Sequence, residues 1–584
     1  MLRCAKKYVT VFQKLSCIIV GICTCIIGHA QYSRYIVQLT DKKNTPYSLD
    51  NPSAYLSAKS IQRRAKQHIQ TDSTDLPITP SYLNSIRSVS SVTVLNDSKW
   101  LNQVLIRTTD PSALSTIQSF SFVKQLSPIA FSVNHRQADT LPTQQINKAV
   151  TLRRKETITS EAGSRVVNGS FGNHFNYASS FEQIHIHKGE YLHNLGFHGE
   201  GIVIAMLDGG FANYLANPVF DSLRANNQVL GTYDYVNGKQ SVNEENDHGA
   251  YCLSIIAANS PGVMVGSAPR ASFWLFKTED VNSEFPVEEQ NWAAAAEFAD
   301  SAGADIISTS LGYAYFDDPS LDHSYQQRDG HTTIITRAAN FAVSKGMIVT
   351  VSAGNSGEAT DETKFIDSPA DADSVLTVGA IDADGIIAPF SSWGPNASGQ
   401  TKPDVVSIGE GTVIAALNGN PAMGNGTSFS NPNIAGLVAC LWQAFPEFNN
   451  HDIIDAVRQS ADRFTHPDDR FGYGVPNFMN AYNLLQTKRN FLHYITAMGD
   501  EWISAYPVPF KSNFTVVFKP AVSGQANLEL IDVSGKIIET KSATVTANTF
   551  AYIQFNRPIS VPKGIYFVHY DDGNRKTTLK VVKQ

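Results

Sequence analysis

The chain has 584 residues, a formal net charge of −7, 42% hydrophobic residues and 17% charged residues. Its composition is ordinary for a folded globular protein, its length predicts three or more structural units, and an acidic chain without a basic stripe excludes nucleic acid as the expected partner. In chain order, residues 1–30 read first, as a targeting segment: Arg3, Lys6, Lys7 and Lys14 precede an apolar run from Leu15 to Ile27, and the small Ala30 marks the expected cleavage point. The run is shorter than the roughly 20 apolar residues a membrane-spanning helix needs. Four of the six cysteines lie in this segment, none of them after a Leu-x-small pattern, so a lipid anchor is not expected.

Residues 31–135 form a separate unit. "RYIVQLTDK" reads as a strand and "NPSAYLSAKSIQRRAKQ" as a helix with a polar face. "VTVLNDSKW", "LNQVLIRT", "PSALSTIQSF" and "VKQLSPI" follow as strand, strand, helix and strand, which predicts a small α+β domain. Residues 136–189 are polar and without sustained periodicity, and they carry "RRKE" from Arg153 to Glu156, so they read as a linker with candidate processing sites.

Between residues 190 and 490 three segments carry chemistry. "GIVIAMLDGG" is a continuous apolar run of strand length that ends at Asp208, which predicts a buried parallel strand with a carboxylate at its carboxyl edge, where open α/β sheets bind ligands. "DHGAYCLSIIAA" and "GNGTSFSNPNIAG" place His248 and Ser428 at the start of helices that are apolar on nearly every face. Pro432 fits a first helical turn, where proline is tolerated. A serine hydroxyl is a weak nucleophile until a histidine takes its proton, and the histidine needs a carboxylate on its other nitrogen to hold one tautomer. Asp208, His248 and Ser428 supply these three parts. A helix start also presents outward N–H groups, so the Ser428 N–H is one candidate donor to a developing oxyanion. A fourth strand-like run, "GMIVTVSAGNSG", ends at Asn355, whose amide is the other. Taken singly, each residue is more often a turn or packing residue. Four in this order, each with the flanking structure its role requires, point to one site.

Removal of the first segment leaves Cys252 and Cys440, both in helices that read as buried, where cysteine is more often a small hydrophobe than half of a disulfide. Cys252 lies on the His248 face of its helix, four residues on, so a regulatory thiol is the alternative reading. The last segment, 500–584, alternates in "AYPVPFKSNFTVVF", "ANLELIDVSGKIIET", "TFAYIQFN" and "GIYFVHYDDGNRKTTLKVVK", separated by Gly, Asn and Asp turns, the pattern of a small β-sandwich.

On these motifs residues 190–487 resemble the subtilisin family of serine proteases. "GTSFSNP" is similar to its serine motif, with Phe429 and Ser430 in place of small or sulfur-containing residues. "HGAYCLSIIAA" is similar to its histidine motif, with Ala250 and Tyr251 in place of threonine and a second histidine. The resemblance implies an α/β fold with a parallel sheet flanked by helices. It also implies a substrate cleft walled by Ser310, Leu311 and Gly312 and by Ser352, Ala353 and Gly354, with an extended substrate added as a strand. It further implies that the α+β unit is a propeptide that assists folding and blocks the cleft, and that the Ser368–Pro369 bond is cis. "FGYGVPNFMNAYNLL" is similar to the family's closing helix. Family habit allows structural calcium, but no dedicated loop pattern marks a site, so no metal ligand is named and no cofactor is required for the chemistry. The "YPVPF" start, "DVSGKII" hairpin and "GIYFV" to "LKVVK" end of the tail resemble the C-terminal sorting domain of the type IX secretion system of Bacteroidetes-type bacteria.

The expected architecture is therefore signal peptide 1–30, propeptide-like domain 31–135, linker 136–189, catalytic domain 190–490 and sorting domain 500–584. The expected function is a secreted or surface serine endopeptidase acting on peptides or proteins, with its own propeptide and the type IX machinery as partners. The competing reading is a catalytically silent surface binding or adhesion protein on the same scaffold, and a carbohydrate-binding or adhesive role competes for the tail.

Overall fold

Alternation along the first strand divides it between two cores: Val37 and Leu39 pack with Ile86, Val104, Ile106 and Ile117 of their own unit, whereas Ile36 packs with Leu105, Ile129, Phe285 and Val287. The computed structural model describes residues 32–131, 158–159, 174–244, 246–556 and 561–584. The expected signal peptide and the linker's Arg153–Glu156 lie outside the described residues. The N-terminal unit is an antiparallel sheet of β1 (Tyr32–Leu39), β2 (Thr93–Ser98), β3 (Gln103–Arg107) and β4 (Val123–Phe131) in the order β2-β3-β1-β4. Its expected first helix is split. Pro52–Ala54 forms a 3₁₀ turn and the α-helix starts at Ala58, because the Ser57 hydroxyl accepts from the Ser60 N–H and caps it. A further helix, Pro80–Arg87, lay unread in the sequence; it starts with proline at its first position.

The linker reappears as β5 (Ile158–Thr159), and the sheet that positions the site begins with β6 (Val203–Asp208) and β7 (Val229–Asp234). After the two-residue pair β8 (Asn259–Ser260) and β9 (Met264–Val265), the sheet continues with β10 (Ser272–Lys277), β11 (Ile306–Thr309), β12 (Ile348–Ser352), β13 (Leu376–Ile381) and β14 (Val405–Ile408). These seven strands run parallel in the order β14-β13-β12-β11-β6-β10-β7. Burial on both faces explains their continuous apolar runs. One face packs on the helices Val287–Ala302 and Ile334–Ser344 through Trp292, Ala296, Ile335 and Ala339. The helices His248–Ala257 and Thr427–Ala444 pack elsewhere on β6 and on β11 to β14. From β6 the chain proceeds first to one side and later to the other, so β6 and β11 flank a topological switch point, where an open α/β sheet leaves a crevice at its carboxyl edge. A short antiparallel pair, β15 (Thr412–Ala415) and β16 (Pro421–Gly424), leads into the Ser428 helix, and β5 pairs with β16.

The chain divides into two compact units, Met1–Phe478 and Met479–Gln584. The second holds the expected sandwich: β17 (Ile503–Tyr506), β18 (Phe514–Phe518) and β21 (Ala551–Phe555) form one antiparallel sheet. The other is built from β19 (Gly524–Asp532), β20 (Ile537–Val545), β22 (Gly564–Asp571) and β23 (Lys576–Lys583) in the order β20-β19-β22-β23. Inward positions such as Phe514, Phe518, Leu528, Leu530, Val568 and Tyr570 share one core.

Candidate active site

Asp208 ends β6 and is 2% exposed. Its Oδ1 accepts from His248 Nδ1 at 2.7 Å and from the Gly209 N–H at 2.7 Å. An ionised carboxylate can only accept, so His248 carries its proton on Nδ1 and leaves Nε2 as the basic nitrogen. His248 opens its helix, with its N–H on Asn246 Oδ1 at 2.9 Å. Gly249 is what lets this helix approach β6, since a Cβ there would lie 3.0 Å from the Asp208 Cβ and closer still to the Gly210 carbonyl. Tyr251 donates to Asp247 Oδ2 at 2.8 Å and ties down the helix start; burial and that carboxylate push its hydroxyl pKa up.

Ser428 is the second residue of the helix Thr427–Ala444 and is 4% exposed. Pro432 falls in the second turn rather than the expected first. Its missing N–H is the one that would have met the Ser428 carbonyl four residues back. That carbonyl accepts instead from Ser310 Oγ at 3.0 Å and Cys252 Sγ at 3.3 Å. The proline thus leaves the Ser428 carbonyl to Ser310, after β11, and to Cys252, on the His248 helix. Cys252 and Cys440 are buried thiols outside any disulfide, and Cys252 packs as a weak donor. Phe429 is fully buried with its ring 6.1 Å from the His248 ring.

Asn355 follows β12 by three residues, and its Oδ1 accepts from the Thr427 N–H at 2.8 Å and the Thr427 hydroxyl at 2.9 Å. A backbone N–H can only donate, so this fixes the amide's orientation and makes Nδ2 its donor end. Thr427 Oγ1 also accepts from the Gly354 N–H at 3.1 Å. Thr427 thus binds the Ser352–Gly354 wall to the serine helix, a role its position beside Ser428 could have suggested. The wall residues follow the ends of β11 and β12: Ser310, Leu311 and Gly312 on one, Ala353 and Gly354 after Ser352 on the other. The Ser368–Pro369 peptide is cis, as expected. Two residues near the walls, Asp367 and Ser392, went unread in the sequence.

Among the described residues two groups hold metal-ligating atoms within 4.8 Å of one another: Asp208, His248 and Cys252, and Glu279, Glu284 and Glu288. In the second, Glu288 accepts from the Asp280 and Phe285 N–H groups and Glu279 from the Tyr313 hydroxyl. Burial pushes Glu279 up to about 7, with Asp208 and Asp280 adding to the shift.

Residues 199–474 match the Subtilase family, residues 34–148 the Peptidase S8 propeptide domain of Bacteroidota, and residues 504–584 the Secretion system C-terminal sorting domain. The chain therefore carries a subtilase-family domain between a propeptide domain and a sorting domain, and the last marks it for the cell surface or the extracellular space. It is 32% identical over 258 residues to the Thermophilic serine proteinase of Bacillus sp. (strain AK1), covering 44% of this chain and 56% of that protein. It is 28% identical over 315 residues to Serine protease AprX of Bacillus subtilis (strain 168), covering 48% of this chain and 66% of that protein. The chain thus spans just over half of the first relative's length and under two thirds of the second's. The crystal structure of MycP1 from the ESX-1 type VII secretion system aligns with a TM-score of 0.42 at 21% identity, over 56% of this chain and 91% of that one.

Proposed function

We propose that this protein is a secreted serine endopeptidase, made as a precursor with an inhibitory propeptide and hydrolysing peptide bonds through an acyl-enzyme. The observation that carries the reading is the Asp208–His248 hydrogen bond at the carboxyl edge of the sheet, on a helix tied through Cys252 to the backbone of Ser428. In the reaction, Ser428 Oγ bonds to the scissile carbonyl carbon while His248 Nε2 takes the hydroxyl proton. Collapse of the adduct breaks the C–N bond and that proton passes to the leaving amine. Water, deprotonated by the same nitrogen, then releases the acyl group. Asp208 stabilises the imidazolium, and Asn355 Nδ2 with the Ser428 N–H stabilises the oxyanion. The type IX secretion machinery is the proposed partner of residues 504–584.

A fluorophosphonate probe should label purified enzyme at Ser428, and Ser428→Ala should abolish both labelling and peptide hydrolysis while the fold is kept. Asn355→Ala should lower kcat by roughly 10²- to 10³-fold with little change in KM, the size found for such a donor in subtilisin. Hydrolysis that survives Ser428→Ala would overturn the assignment.

A further inference from the structure

The two segments expected to wall the substrate cleft share a charged neighbour. A methyl group built on Gly312 would lie 3.1 Å from the Asp367 Cβ and 3.6 Å from its Oδ2. One built on Gly354 would lie 3.4 Å from the same Oδ2 and 2.8 Å from Ser392 Oγ. The side chains that these walls lack are thus replaced by one carboxylate, flanked by a hydroxyl.

Asp367 is held there by its backbone. Tyr313 and Ser368 exchange hydrogen bonds at 2.8 and 3.2 Å, and the Ile366 N–H donates to the Trp393 carbonyl at 2.9 Å. Behind it lies Arg328, whose side chain is 0% exposed against 20% for Asp367. The guanidinium donates to Asp367 Oδ1 at 3.3 Å and to the carbonyls of Ile366 at 3.1 Å, Phe365 at 3.4 Å and Glu362 at 3.1 Å. Its carbon also lies 5.9 Å from the Tyr315 ring and 5.5 Å from the Tyr325 ring. Arg328 thus donates to three carbonyls as well as to Asp367 and is the buried member of the pair, while the carboxylate is the more exposed. At these separations the nearer charge sets the sign of the local potential.

We propose that Asp367 is the specificity-determining residue at the base of the primary pocket and selects substrates with arginine or lysine on the N-terminal side of the scissile bond. The proposal rests on the peptidase reading and names its substrate class. Glycines at 312 and 354 leave the Asp367 carboxylate uncovered by wall side chains, so the cationic end of a long substrate side chain meets Asp367 Oδ2 with the Ser392 hydroxyl beside it. An acidic side chain at the same place meets like charge and is rejected.

The test compares kcat/KM on Ala-Ala-Pro-X amides that differ only in X, with enzyme concentration set by fluorophosphonate titration. Arginine and lysine should exceed phenylalanine by about tenfold or more, with glutamate lowest. Asp367→Asn should collapse the arginine-to-phenylalanine ratio, and Asp367→Glu should keep a preference for cations. Because Asp367→Asn withdraws a partner from buried Arg328, a second measurement uses the unaltered enzyme. Benzamidine should inhibit competitively at about tenfold lower concentration than uncharged benzamide. A ratio at or below unity in the unaltered enzyme, or one that Asp367→Asn leaves in place, overturns the role of Asp367. Equal inhibition by the two compounds does the same. Failure to hydrolyse any peptide, together with absent fluorophosphonate labelling, overturns the peptidase reading itself.

Discussion

The propeptide domain and the C-terminal module are each built on a four-stranded antiparallel sheet, but they cover its faces differently. In the C-terminal module β17, β18 and β21 supply the cover, and residues from both sheets make one internal core. The propeptide domain has its own core on one face only, around Val37, Val104 and Ile117. Much of its remaining contact surface ends on the subtilase domain. Glu297 accepts from the Lys99 and Trp100 N–H groups at 2.7 and 3.1 Å and from the Ser98 hydroxyl. Asp300, fully buried, pairs with Arg63 and with Arg64, the latter at 2.6 Å, and Lys345 reaches Asp72 and Asp75 at 3.0 and 3.2 Å. One module is complete in itself. The other is half of a shared interior, in which each side holds charges that only the other neutralises.

The largest test of that difference is deletion. A chain refolded from residue 174 onward, without the propeptide domain, should lose recoverable activity by about 10³-fold or more, because Glu297 and Asp300 would present unpaired charge on the helix that must close the sheet. Adding the domain in trans should restore it. Deleting residues 504–584 should leave kcat/KM within about twofold, since a unit with its own core folds and unfolds alone. Equal losses from the two deletions, read by active-site titration, would erase the contrast.

Single substitutions come next. Asp300→Ala leaves Arg63 and Arg64 buried without their shared carboxylate, and breaking a buried pair from one side costs about 3 to 5 kcal/mol. Phe514→Ala removes a buried aromatic from the C-terminal core at a similar cost of about 3 to 5 kcal/mol. In a Ser428→Ala precursor, followed by thermal unfolding, the first should lower only the transition of the larger unit and the second only that of the smaller. A common shift would mean that the two units unfold together.

Much of the candidate site was legible because each part is a single chemical residue at the end of an unmistakable apolar run: Asp208 after "IVIAML", His248 before "AYCLSIIAA", Asn355 after "MIVTVSAG". Period and punctuation report such ends well. They do not report what a polar residue faces. The helix around Arg63 and Arg64 reads as having a polar face, yet these residues are 5% and 2% exposed, because their partner Asp300 lies more than 200 residues away. Asp367 was hidden for the same reason: its neighbours Gly312 and Gly354 come from other strand ends, and no local pattern marks a carboxylate that reaches them. Pro432 lies beyond the expected first turn because the helix begins at Thr427, which makes the proline its sixth residue.

The smallest effect per group is set by pH and separates the units without altering a residue. In the larger unit, burial lowers His187 and His193 to about 4. His187 Nδ1 lies 3.0 Å from the Pro476 carbonyl and Nε2 2.8 Å from Ser407 Oγ, and His193 lies between the Tyr177 hydroxyl at 2.6 Å and the Ser267 carbonyl at 3.0 Å. Each satisfies both partners as one neutral tautomer; protonation would turn the hydroxyl from donor to acceptor and place a charge in the core, and that burial is what lowers the two values. The unfolded chain titrates histidine near 6.5 and so binds more protons between pH 6.5 and 4; the stabilising contribution is full above 6.5 and is lost as pH falls through that window. By pH 5 the loss is about 2 kcal/mol for each histidine. Among the described residues the C-terminal module has no buried histidine. Thermal unfolding of the Ser428→Ala precursor from pH 8 to pH 5 should therefore lower the larger unit's transition more than the smaller's. His193→Gln, which cannot take the proton, should remove about half of that extra loss, and an acid response unchanged by His193→Gln would place its origin elsewhere.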